Sequence, residues 1–182
     1  EAGVIPVLAD GSLDLVALEA ALVSGGPALV AVMAANNETG VLHPVESISE
    51  TCRRHGALLH VDAVQMPGRL PFTLGAADSM ALSAHKLGGP KGVGALLLRP
   101  GLDPAPLLTG GGQESGRRGG TEALPAIAGF AAAAACPEGG LERQLAAVGA
   151  REAHTGEKMD SAGLRLVRRM VELGRGGKAA GQ

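Results

Sequence analysis

The chain has 182 residues, enough for one domain or part of one, and 46% of them are apolar, enough to build a core. Sixteen Lys and Arg against 18 Asp and Glu leave a net charge of −2, which argues against a nucleic-acid or anionic-membrane binder. Phe72 and Phe130 are its only aromatic residues, which excludes a base-stacking platform, and two cysteines are too few for a disulfide framework or a Cys-rich metal site. No signal peptide or bilayer-length apolar run is read, so a soluble cytoplasmic protein is expected. Glu1 is not Met and leads directly into the strand-like Val4-Ile5-Pro6-Val7-Leu8, so the start reads as the interior of a longer chain. Residues 1–140 carry 8 basic and 13 acidic groups, whereas 141–182 carry 8 basic and 5 acidic ones.

Ser12 or Asp14 can cap a helix through Leu15, Leu18, Ala21 and Leu22, with Gly25-Gly26 as its stop. Ala28 to Met33 is a continuous apolar run of strand length, the pattern of a parallel strand covered on both faces. After the polar loop Asn36-Asn37-Glu38-Thr39-Gly40, Pro44 suits the first turn of a helix that buries Val45, Ile48 and Cys52 and ends at Gly56. Ala57 to Val61 reads as a second buried strand, which makes a βαβ unit with parallel neighbours. Arg69 to Phe72 and Ser79 to Ser83 read as short strands, and Val93 to Arg99 as a stronger one. A Gly- and Pro-rich loop spans Pro100 to Thr121, and a helix follows over Ala123 to Cys136. Asp160 to Leu173 has helical character, and Gly174 to Gln182 reads as disordered.

In an open parallel sheet, ligands bind beyond the carboxyl ends of the strands. Asn37 follows the first strand, Asp62 ends the second with Gln65 three residues on, and Ser83-Ala84-His85-Lys86 ends a third. Each group taken singly has a structural reading: Asp62 as a turn or helix cap, Asn36-Asn37 as an Asx turn, His85-Lys86 as an exposed pair. Their combination suits pyridoxal phosphate, which needs a lysine for its imine and a carboxylate to keep the pyridine nitrogen protonated. It also needs donors to the ring oxygen and a cradle for a dianionic phosphate. Lys86 supplies the amine, Asp62 the carboxylate, Asn37 and Gln65 the donors, and Ser83 and His85 the phosphate contacts. Once released from the cofactor, Lys86 can act as general base. No metal site is read.

Asn36-Asn37-Glu38-Thr39-Gly40, His60-Val61-Asp62-Ala63-Val64-Gln65 and Ser83-Ala84-His85-Lys86-Leu87-Gly88-Gly89-Pro90-Lys91-Gly92 occur in this order. With Gly110-Gly111-Gly112-Gln113-Glu114 and Arg118-Gly119-Gly120-Thr121, they closely resemble the cysteine desulfurases of the NifS and IscS kind, class V aminotransferase-fold enzymes. The resemblance runs from residue 1 to about 136. It implies the fold type I large domain of pyridoxal-phosphate-dependent transferases, an incomplete α/β unit with a mostly parallel sheet and helices on both faces. Residues 1–136 would form the cofactor-binding part, and 137–182 a poorly matching helical or disordered tail.

By position, the resemblance makes Lys86 the cofactor-bearing lysine, Asp62 the partner of the pyridine nitrogen, and Asn37 and Gln65 contacts of the ring oxygen. Ser83 and His85 match phosphate ligands. Thr121 matches a threonine that reaches the phosphate in the neighbouring subunit, which implies a homodimer. The implied reaction converts L-cysteine to L-alanine, passing sulfur to an enzyme cysteine as a persulfide for iron–sulfur or thiolation pathways. A sulfur-accepting scaffold protein fits that scheme as a partner. The family's ring-stacking histidine and phosphate-gripping turn would precede Glu1. Its sulfur-carrying cysteine and substrate-carboxylate arginine are not identifiable, Cys52 and Cys136 reading as structural. Selenocysteine lyase or another class V lyase, and a non-catalytic truncated homologue, are the alternatives, and weak or absent turnover is expected of this chain alone.

Overall fold

Asp14, rather than Ser12, opens the first helix: its Oδ1 accepts the N–H groups of Val16 (2.9 Å) and Ala17 (3.1 Å), two of the donors a helix start leaves unpaired. Ser12 instead donates through its N–H and hydroxyl to Asp10. This helix, α1 (Leu15–Val23), begins a computed structural model that describes residues 2–26, 28–70 and 72–135. Strand β1 (Leu29–Met33) follows, then α2 (Val45–Arg54), entered through Pro44 and left through Gly56 at φ +66°. Glu46 in the first turn of α2 and Arg53 and Arg54 in its last turn match the helix dipole. Strands β2 (Leu58–Asp62), β3 (Ser79–Ser83) and β4 (Gly94–Leu98) complete the sheet, and α3 (Leu124–Ala134) ends the described chain. No described helix is long and apolar enough to cross a membrane.

The strands lie in the order β1-β2-β3-β4. β1, β2 and β3 run parallel, with Met33 opposite Asp62 and Asp62 opposite Ala81, while β4 returns antiparallel and pairs Gly94 with Ser83. The parallel βαβ unit expected from the sequence is therefore present. Val30, Val32, Leu59, Val61, Met80, Leu82 and Leu97 share one sheet face, and α1 and α2 close it with Leu18, Ile48 and Cys52. Leu18, Ile48, Leu59 and Val61 are fully buried, and this is the core. Across the top of it, the Glu19 carboxylate joins the two helices by receiving Arg54 (2.8 Å) and His55 (3.1 Å).

Three expectations are corrected. Arg69 to Phe72 is not a strand, for none of its described residues is extended in a ladder. Gly68 sits at φ +71° and the Arg69 and Leu70 N–H groups both turn back to the Met66 carbonyl. The apolar run of β1 is covered on one face only among the described residues: Leu29 is 65% exposed and Met33 37%, whereas Val30 and Val32 pack into the core. A run of apolar residues cannot say which of its two faces finds a partner. The helix expected to end at Cys136 ends at Ala134. Cys136 and the readings made for 137–182 lie outside the described residues.

Candidate functional site at the carboxyl rim of the sheet

Parallel pairing puts the ends of β1, β2 and β3 on one edge, and six of the seven residues singled out from the sequence follow those ends. Asp62 is the last residue of β2 and is exposed; its Oδ1 accepts the Val64 N–H (3.0 Å), so the carboxylate caps the following turn while its other oxygen remains available. Gln65, on that turn, is 7% exposed, and its carboxamide has no hydrogen-bond partner among the described residues. On the neighbouring strand, Ser83 ends β3 and a single 3₁₀ turn, Ala84 to Lys86, carries His85 and Lys86 beyond it. Ser83 Oγ and His85 Nδ1 are hydrogen-bonded at 2.9 Å, which makes them one polar unit. Lys86 is half-buried and joins no ion pair among the described residues.

The Lys86 turn is held from behind. Ala84 is fully buried, and a Cβ on Gly89 would lie 3.1 Å from both the Ala84 Cβ and its carbonyl oxygen and 3.3 Å from Ala133 of α3. A Cβ on Gly129 of α3 would likewise lie 3.0 Å from the Pro90 ring. The alanine-rich sequence of α3 thus has a purpose in packing: only small side chains let it seat against the segment that follows the lysine.

Asn37 reaches the same edge from the loop after β1. The Asx turn expected of Asn36-Asn37 belongs to Asn36, whose Oδ1 accepts from Glu38 N–H (2.8 Å) and Thr39 N–H (3.0 Å). Asn37 is left exposed, with no side-chain hydrogen bond among the described residues. Thr121 is exposed in the long loop after β4, and among the described residues no side-chain hydrogen bond joins it to the other six. That loop is closed on itself by the Gly119 N–H to Leu108 carbonyl bond (2.7 Å). It also holds two non-glycine residues in the left-handed region, Glu114 (φ 50°) and Ser115 (φ 56°), a local strain that sequence gave no sign of.

Two further residues escaped the sequence reading. Arg69 donates to the Gln65 carbonyl (3.3 Å), and its Nε is buried without a partner; burial alone pulls its pKa below the usual value. His43 accepts a backbone N–H from thirty residues away. Neither carries a local sequence signal, because both contacts depend on how distant segments meet. An open cleft of about 530 Å³ lies at the opposite edge, between the end of β4 and Glu114, Ser115 and Arg117. Its arginines are already engaged, Arg99 with Asp78 and Arg117 with Asp103, so it offers less chemistry than the open rim. Cys52 is buried, and burial first, then the Asp78 charge, pushes its thiol pKa up, which fits a structural and not a nucleophilic sulfur.

The rim groups fit pyridoxal 5′-phosphate: an amine with no ion-pair partner, a carboxylate on the adjacent strand end, two unclaimed carboxamides and a Ser–His pair suited to an anion. Comparison with known proteins agrees. The family model described as Aminotransferase class-V matches residues 1–172. A cysteine desulfurase of Cereibacter sphaeroides is 52% identical over 138 residues, covering 75% of this chain and 35% of that protein. One of Bradyrhizobium diazoefficiens is 48% identical over 151 residues, or 81% of this chain and 38% of the relative. Among solved structures, a NifS-like protein from Rickettsia africae superposes with a TM-score of 0.70 at 39% identity, over 72% of this chain and 38% of its own. SspA, solved in complex with cysteine, gives 0.67 at 35% identity, over 73% of this chain and 39% of its own. The chain thus spans little more than a third of these relatives, and within that span it belongs to the class-V aminotransferase family, whose cofactor is pyridoxal 5′-phosphate.

Proposed function

We propose that this chain is the cofactor-binding portion of a cysteine desulfurase, which releases L-alanine from L-cysteine and hands the sulfur to a thiolate elsewhere in the enzyme. The observation that carries the reading is that Asp62 ends β2 and Lys86 follows the end of the adjacent parallel strand β3, so both stand at one rim of the sheet. When bound, pyridoxal phosphate acts as an electron sink for charge developing at the substrate α-carbon. The protein's part is to hold and tune it. Lys86 Nζ would anchor it and would serve as the general base for the substrate α-proton. Asp62 would hold the ring nitrogen protonated, with the carboxylate oxygen that Val64 does not claim. Asn37 and Gln65 would donate to the ring oxygen, and Ser83 and His85 would hold the phosphate.

The sulfur step balances without an external oxidant: the C–S bond of cysteine breaks, a S–S bond forms on the accepting thiol, and the alanine carbon takes up the proton. Cys52 is buried and so is not that thiol. Thr121 lies on an exposed loop, which supports a role across a homodimer, reaching the phosphate held by a second copy. Delivery of the sulfur to an iron–sulfur scaffold or a thiolation acceptor completes the proposed role.

The test uses borohydride. Reduction of the cofactor-loaded protein followed by peptide mapping places the adduct on Lys86. The chain has no Tyr or Trp, so the cofactor's absorbance stands clear of the protein's own. An adduct on Lys91, or no adduct on the full-length protein, refutes the assignment.

A further inference from the structure

His43 joins two segments that flank the rim. Its N–H donates to the Ala34 carbonyl (3.0 Å), closing the base of the 34–43 hairpin, and Asn36 N–H donates to the Val41 carbonyl (2.9 Å) nearer the tip. Asn37 sits at that tip. On its other side, the His43 imidazole accepts the Leu13 N–H at Nδ1 (3.1 Å). Leu13 is a core residue, 8% exposed, at the end of a strap folded back so that Val7 pairs with Leu13. The strap meets the hairpin a second time where Gly11, at φ +83°, leaves room for only 3.0 Å between a would-be Cβ and Val41 Cγ2.

A ring nitrogen that accepts a backbone N–H carries no proton, so His43 is the neutral Nε2–H tautomer. A proton on Nδ1 sets N–H against N–H and leaves the Leu13 amide without an acceptor. The strap carries Asp10 and Asp14, the hairpin tip Glu38 and the first turn of α2 Glu46, and Asp62 ends β2 beside Ala34. Asp10 accepts from Ser12, Asp14 caps α1, and among the described residues no carboxylate pairs with the imidazole. Burial holds the His43 pKa below its ordinary 6.5, in keeping with a neutral ring.

We propose that His43 is a positioning residue: its neutral imidazole latches the 6–14 strap to the hairpin that presents Asn37, and protonation releases the latch. The consequence for the cofactor rests on the reading of the rim given above, whereas the latch itself does not. Because the folded pKa is depressed, the latch is intact above pH 6.5 and is lost as the pH falls from there through the folded value.

Amide hydrogen exchange on the full chain, corrected for intrinsic rates, tests this at about pH 7.5 and about pH 5. In the wild type, Leu13 should lose about tenfold or more in protection at the lower pH, with the Glu38, Thr39 and Val41 amides following and the β2 amides unchanged. His43→Asn keeps an acceptor near Nδ1 that cannot titrate, so its Leu13 protection should not differ between the two. Equal pH dependence in both proteins, or a loss at Leu13 that leaves the hairpin amides protected, overturns the proposal. The His43 ring titration in the wild type is a second check, for its midpoint must coincide with the loss at Leu13. Cofactor affinity in the same samples should fall more steeply between the two pH values in the wild type than in His43→Asn, where only the rim's own groups titrate. A chain that shows the His43-dependent exchange but binds no pyridoxal phosphate at either pH supports the latch and refutes the reading of the rim.

Discussion

Gly94→Ala sets two physical effects against each other at the site. Gly94 opens β4 opposite Ser83, and its backbone lies outside the left-handed region, so alanine is conformationally allowed there. Chain entropy alone would therefore make the substitution stabilising by ~0.4–1 kcal/mol. The structure opposes this: a Cβ at Gly94 would lie 2.6 Å from the Leu82 carbonyl oxygen, a backbone atom that cannot rotate away. Ordinary carbon–oxygen contacts begin near ~3.3 Å, so β3 and β4 must part by roughly 0.7 Å. Overpacking of that kind costs ~1–3 kcal/mol, and the net expectation is destabilisation by about 1–2 kcal/mol. The shift falls at the end of β3, immediately before Ser83, His85 and Lys86, where an ångström of misplacement can cost ~100-fold. Urea denaturation should show a lower midpoint with unchanged slope, and pyridoxal phosphate affinity should fall about tenfold or more. Gly26→Ala, where a Cβ meets nothing within 4 Å, serves as the control: chain entropy alone should raise the midpoint slightly and leave the affinity unchanged. A Gly94→Ala protein as stable as the wild type, with its affinity for the cofactor intact, would refute the argument that β4 fixes the end of β3.

Lys86→Ala should abolish the borohydride-reducible adduct, whereas Lys91→Ala should leave it intact, as mass mapping of the reduced protein will show. Ile48→Ala, at a fully buried position between α2 and the sheet, should cost ~2–5 kcal/mol in urea denaturation, since the site closes on all sides. Cys52 should resist alkylation in the native protein and react only under denaturant, because burial keeps its thiol protonated. Glu19 has its pKa lowered, chiefly by the hydrogen bond from His55 and further by Arg54, against an opposing effect of burial. Its contribution to stability is therefore present above pH 4.5 and lost as the pH falls through the folded value, and Glu19→Gln should flatten that part of the acid limb of a melting-temperature profile.

The elements legible in the sequence were those that announce themselves locally. Asp14 before Leu15-Val16-Ala17, Pro44 before the Val45, Ile48, Cys52 stripe, and the apolar runs of β1 and β2 each carry a cap or a period that needs no distant partner. The rim was legible for a topological reason: once two apolar strands flank a helix they run parallel, and whatever follows their ends shares an edge. Arg69 to Phe72 was misread because a short apolar stretch looks extended unless the preceding glycine is known to take a positive φ.

What sequence could not supply is the direction of exposure and every contact between distant segments. Leu29 and Val30 are equally apolar neighbours, yet one is 65% exposed and the other packs into the core. The same limit hides His43, whose partner Leu13 lies thirty positions earlier, and Arg69, whose significance is a buried Nε with nothing to meet. Motif residues such as Asn37 and Lys86 could be named because chemistry demands their type at a strand end. Residues that hold those motifs in place are under no such demand: any acceptor can receive the Leu13 amide, and any small residue can let α3 approach Gly89. Supporting contacts are therefore read from coordinates, and it is there, at Gly94, Gly89 and His43, that substitutions separate placement of the rim from its chemistry.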